Sequence, residues 1–137
     1  MSRAARISAI VLNVFLAITA VGGGLGLLTG ANAPPVAALG RSPFKSYLIP
    51  GLALVILVGG SAAIAATLLV RRHRFARPAT LVSAAAIILF EAVEIAAIGS
   101  PAGLARNLQI LYLASGGLIG ALALASRHLG VQSSAAD

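Results

Sequence analysis

Apolar residues gather into long runs along this chain, and the breaks between the runs are short and polar or basic. A bilayer span needs about 20 consecutive, mostly apolar residues. Four stretches meet that length: Ile7–Leu28, Leu48–Val70, Thr80–Ile98 and Leu108–Ser126. The pattern predicts an all-α membrane protein of four transmembrane helices in an antiparallel up-down bundle. Almost nothing lies outside the runs, so residues 1–137 are read as a single four-helix transmembrane domain without a separate soluble catalytic module.

The connections are uneven. The first, Thr29 to Tyr47, is the longest and carries Pro34, Pro35 and Pro43, which disfavour helix continuation. It reads as an ordered cap or a flexible flap. Phe44 and Tyr47, with Arg41 and Lys45, form an aromatic and basic belt of the kind that anchors a span at the membrane interface. Pro50 falls in the first turn of the second span, where a missing backbone N–H costs least. The Arg71–Pro78 connection is short, which makes spans two and three antiparallel neighbours.

Composition agrees with the pattern. The chain is 59% hydrophobic and 9% charged, with a mean hydropathy of +1.01, whereas a soluble domain carries about 25% charged residues. The net charge of +7 raises the question of nucleic acid, but all ten Lys and Arg residues flank the spans, where they set orientation. Arg3, Arg6, Arg71, Arg72, Arg74, Arg77 and Arg127 lie on one side and Arg41, Lys45 and Arg106 on the other, seven against three. The positive-inside bias then puts both termini and the Arg71–Pro78 loop in the cytoplasm. Arg71, Arg72, Arg74 and Arg77 also qualify as lipid-headgroup contacts, since each basic residue near an anionic surface contributes about 1 kcal/mol. The alternative is a topology signal alone.

Some chemistry is excluded. The chain has no cysteine, hence no disulfide, thiol redox or iron–sulfur ligation. Its histidines, His73 and His128, lie in the basic flanks and not at bilayer depth, which argues against a b-type haem. No cofactor and no metal site is expected. Arg3 and Arg6 before an apolar run, with Ala31-Asn32-Ala33 after it, imitate a secretion signal. The run is about 22 residues against 7–15 for a signal core, and Pro34 follows the small-residue pattern directly, so a retained span is expected.

Glycines are concentrated within the spans. Gly22-x-x-x-Gly26 and Gly116-x-x-x-Gly120 match the small-residue packing motif, and Gly59 and Gly60 offer a similar surface in span two. They are read as packing positions within the bundle, with dimerisation as the alternative. The stretch Pro43-Phe44-Lys45-Ser46-Tyr47-Leu48-Ile49-Pro50-Gly51-Leu52, followed by Gly59-Gly60-Ser61, resembles a signature of small uncharacterised four-span membrane proteins of bacteria. The resemblance covers span two and its approach and implies no activity. Small multidrug transporters share the length and the four spans, but they carry an essential Glu in the first helix, where this chain has Asn13 and no acid.

Apart from Asp137, the only acids are Glu91 and Glu94, and both sit inside span three. Ionisable groups at membrane depth are expensive unless neutral, paired or facing a polar cavity, so each is a functional-site hypothesis. At 100° per residue, Thr80, Ser83, Ile87, Glu91 and Glu94 fall within an arc of about 80°. On span four, Gln109, Tyr112, Gly116, Gly120 and Ala123 occupy an arc of about 80° as well. Depth matching sets Gln109 and Tyr112 against Glu94, and Ser115 level with Glu91. Asn13, the one strongly polar residue of span one, is expected to make an interhelical hydrogen bond away from the glutamates. Nine Leu, Ile, Phe or Val residues in Thr80–Ile98 favour insertion by roughly 4 kcal/mol and two carboxyls oppose it by roughly 5. Span three is therefore marginal alone and should insert with help from its neighbours.

The pair is either a polar staple, bonded to Tyr112, Gln109 or backbone or ion-paired with Arg41, Lys45 or Arg106, or a proton- or cation-binding site. The leading expectation is a non-enzymatic accessory or interaction protein, and the alternative is a small proton- or cation-coupled transporter using Glu91 and Glu94. The expected partners are the lipid bilayer and either another membrane protein or a second copy of the chain, not nucleic acid.

Overall fold

In the computed structural model each apolar run becomes a helix, and three of the four helices are longer than their runs. The helices are α1 (Arg3–Thr29), α2 (Leu48–Val70), α3 (Ala76–Ile98) and α4 (Leu104–Ser134). The structure describes residues 1–40 and 42–134, with side chains through residue 126. Hydropathy marks only the part of a helix that faces lipid, whereas capping decides where it ends. Ser2 Oγ accepts the Ala5 N–H at 3.1 Å and starts α1 four residues before its apolar run. Gly30, at φ 79°, closes α1 in the left-handed conformation that glycine adopts without a Cβ clash. Pro78 falls in the first turn of α3, where its missing N–H has no helical partner to lose.

All four helices are long and apolar enough to cross a membrane. Their outward faces carry large apolar side chains, among them Ile18, Ile56, Leu89 and Ile110, at an exposure that water would not tolerate over so wide a surface. Each helix packs on its chain neighbours, and α1 also packs on α4, so the four close into a ring. The core inside the ring takes residues from every helix: Leu16 and Ala20 from α1, Val58 and Ala62 from α2, Ala84 and Ile87 from α3, Ile119 from α4. Three of these seven are alanines, which let the backbones approach closely.

The sharpest contacts are at glycines. A Cβ on Gly116 would stand 2.7 Å from Ile87 and 2.8 Å from Ile88 on α3. One on Gly59 would stand 2.9 Å from Val21 of α1, one on Gly51 2.9 Å from Leu28, and one on Gly24 would collide with Val55 of α2. Gly26 meets the Asn32 side chain of the first connection at 2.9 Å, and Gly120 lies at ordinary contact distance from Ala84, 3.6 Å. Gly22, Gly60 and Gly117 have nothing within 4 Å. Close packing of α1 on α2 therefore runs through Gly24, Gly51 and Gly59.

Between Leu54 and Gly60 the middle of α2 is wound as a π-helix. Within this segment Val58 and Gly59 are buried.

The first connection is an ordered cap over one end of the ring. Leu39, on the 3₁₀ turn Val36–Leu39, is buried, and Ser42 Oγ donates to the Leu39 carbonyl at 2.8 Å. Tyr47 points inward: it is 8% exposed, and its hydroxyl donates to the Pro35 carbonyl at 3.3 Å. The expected interfacial belt thus loses Tyr47 to the cap, because the prolines fold the connection back over the ring. Lys45 is exposed, and Arg41 lies outside the described residues.

Candidate functional site

Polar side chains inside the helices mostly close on their own backbone. Thr19 Oγ1 donates to Phe15 O at 2.8 Å, Thr80 Oγ1 to Ala76 O at 2.7 Å and Ser115 Oγ to Leu111 O at 2.8 Å. Such hydroxyls need no partner helix. Three contacts among the described residues do cross between helices, and all three involve α3.

The first lies toward the Arg71–Pro78 connection. Ser83 Oγ donates to Asn13 Oδ1 at 2.6 Å, with the Thr80 carbonyl as a second acceptor at 3.0 Å, and Asn13 Nδ2 donates to Ala9 O at 2.8 Å. Asn13, Ser83 and Thr80 are fully buried. Asn13 therefore makes the interhelical bond its residue type calls for, across the middle of the ring. At the start of α3, Arg77 Nε donates to Ala123 O of α4 at 2.9 Å.

The third contact is at the capped end. Gln109 Nε2 donates to Glu94 Oε1 and to the Gly99 carbonyl, both at 3.1 Å. Gly99 presents that carbonyl because the chain leaves α3 at φ 76°, ψ −164°, a conformation reserved in practice for glycine. Burial, and then the Glu94 carboxylate, push the Tyr47 phenol above its usual range. Glu94 thus has α4 on one side and the cap on another.

Glu91 lies one turn deeper on the same face, 3% exposed, and Gln109 is 2% exposed. Two of their oxygens, Glu91 Oε2 and Gln109 Oε1, are buried without a hydrogen-bond partner. Orphaned polar atoms at such depth are rare and call for an explanation. Tyr112 is half-buried and packs against the apolar core without a hydrogen bond to Glu94 among the described residues. Ser115 is buried and bonded within its own helix. Arg106 donates through Nε and Nη2 to the Ser100 carbonyl at 3.2 and 2.7 Å, so it braces the α3–α4 connection and not a glutamate. Among the described residues, no His, Cys, Asp and Glu side chains gather in a group of three that would hold a metal.

Among the described residues a cavity lies at each end of the bundle. One, of about 510 Å³, lies between the 3₁₀ turn, at Ala37, Ala38 and Gly40, and the last turn of α3, Ile95 to Gly99, and neither glutamate lines it. The other, of about 500 Å³, is at the opposite end and is lined by Arg3, Arg6, Arg72, His73, Arg74 and Arg77, together with Met1, Leu69, Ala76 and Ser126. Arg71 is exposed and does not line it, whereas Arg3 and Arg6 from the start of α1 do. Periodicity gave no hint of their joining the loop, since the closure of the ring brings them there.

No known protein family matches the chain, and comparisons with curated proteins and with solved structures give no significant match.

Proposed function

We propose that the chain is a small multi-pass protein of the bacterial inner membrane, an accessory or interaction protein without catalysis of its own. Its helices run up and down in an antiparallel bundle with both termini cytoplasmic. The observation that carries the reading is the double donation of Gln109 Nε2 to Glu94 and to Gly99 O, which uses the membrane-depth acid as a fastening between α3 and α4. The gathering of Arg3, Arg6, Arg72, Arg74 and Arg77 at one end supports the orientation, since the positive-inside bias places that end in the cytoplasm.

A second reading has one specific observation in its favour. The unpartnered oxygens of Glu91 and Gln109 leave acceptor capacity beside Glu94, which suits a proton or small cation. A coupled transporter would use Glu91 and Glu94 to bind the coupling ion.

Substitution separates the two. Gln is nearly isosteric with Glu and keeps its polar capacity, so Glu91→Gln and Glu94→Gln should melt in detergent close to wild type, while Glu94→Leu, which strips Gln109 Nε2 of a buried acceptor, should melt lower, by about 1–3 kcal/mol. In liposomes, wild type and the double Gln variant should show equal proton flux. A flux that the double variant abolishes would replace the accessory reading with the transporter.

A further inference from the structure

The basic cavity is more than a band of positive loop charge. Three separate parts of the chain supply its basic residues: the first turn of α1 with Arg3 and Arg6, the α2–α3 connection with Arg72, His73 and Arg74, and the start of α3 with Arg77. Among the described residues no acidic side chain lines it, and the two glutamates lie toward the other end of the bundle. Arg77 is held in place by the bond from its Nε to Ala123 O.

The connection carries an arginine at its left-handed residue. His73 N donates to Leu68 O at 2.9 Å and Arg72 N to Leu69 O at 3.2 Å, the paired bonds that end a helix through a left-handed residue. That residue is Arg72, at φ 52°, where glycine is the usual occupant because a Cβ is strained. His73 Nδ1 accepts the Phe75 N–H at 3.2 Å, which leaves the proton of the neutral ring on Nε2, available as a donor. Arg74 stacks over the exposed Phe75 ring at 4.7 Å. Guanidinium groups recognise phosphate through charge-assisted, often bidentate hydrogen bonds, and a pocket of about 500 Å³ is within the range of small-molecule sites.

We infer that this cavity is a binding site for a phosphate group, either that of an anionic phospholipid headgroup or free phosphate, with Arg6, Arg72 and Arg77 as its principal donors. The site is independent of the glutamates and of either reading of them.

The test uses the full chain in neutral detergent, titrated with phosphatidylglycerol, phosphatidylcholine or inorganic phosphate, with bound ligand read by native mass spectrometry. Phosphatidylglycerol should be retained over the zwitterionic lipid, and Arg6→Gln should weaken it about tenfold, as expected for loss of a hydrogen bond to a charged group. Arg71→Gln, at an exposed position outside the cavity, should change it little. Arg72→Gly is the decisive second variant: it removes the guanidinium while relieving the backbone, so binding should fall with the melting temperature unchanged or raised. Arg6-dependent binding of inorganic phosphate that displaces the lipid would identify free phosphate as the ligand of the same site. Equal losses from Arg71→Gln and Arg6→Gln would show diffuse attraction and overturn the proposal, as would binding indifferent to lipid charge with no phosphate bound.

Discussion

At the scale of single residues, glycine context decides more than glycine presence. Gly116 and Gly117 are adjacent on α4, yet one would drive a Cβ into Ile87 and Ile88 while the other faces open space. Gly116→Ala is therefore expected to lower the melting temperature in detergent, at a cost of about 1–3 kcal/mol for overpacking, while Gly117→Ala leaves it unchanged. The motif spacing 116/120 points to the right surface of α4 but not to which member is tight. For α1 it misleads, because Gly22 meets nothing within 4 Å and Gly24, outside the spaced pair, takes the close contact with α2. Four glycines within Gly22–Gly26 give the run no phase, so only packing can choose among them. The meeting of Gln109 with Glu94 is legible for the opposite reason: polar residues are so few on α3 and α4 that the arcs they define are narrow. Which atoms remain without partners is not legible, since it depends on rotamers and on the carbonyl that Gly99 turns inward.

At the scale of elements, α3 is where sequence energetics and structure meet. It is a helix only marginally able to enter a bilayer alone, and it takes part in all three interhelical side-chain contacts described, from Asn13, Gln109 and its own Arg77. The polar groups that make it costly are also what neighbouring helices hold. Ser83→Ala should destabilise the bundle by about 1 kcal/mol in detergent melting, because it strips a buried acceptor, Asn13 Oδ1, of its partner. Ser115→Ala, which removes only a bond within α4, should be nearly neutral. The number and extent of the helices follow from apolar run length, which gives both ends of α2 and the last residue of α3; the starts of α1, α3 and α4 lie four residues before their runs, outside the hydropathy signal, with Ser2 capping the first. Nothing in the uniformly apolar stretch Leu54–Gly60 announces its π-winding.

At the scale of the whole molecule the two ends differ in kind: one is closed by a folded cap beside acids, the other is open and lined with arginines. The absence of cysteine makes the orientation directly measurable with single-cysteine variants. Lys45→Cys should react with a membrane-impermeant maleimide added outside intact spheroplasts, and Phe75→Cys only after lysis; the reverse pattern would invert the bundle. The placement of Asn13 and Gln109 on either side of α3 in the chain bears on synthesis as well. Asn13 has been made long before α3 leaves the ribosome, but Gln109 follows Glu94 by fifteen residues, so α3 travels for a time with only one of the two helices that bond it in place. A chain stalled before α4 would present Glu94 unclasped, which distinguishes an unfinished copy from a finished one.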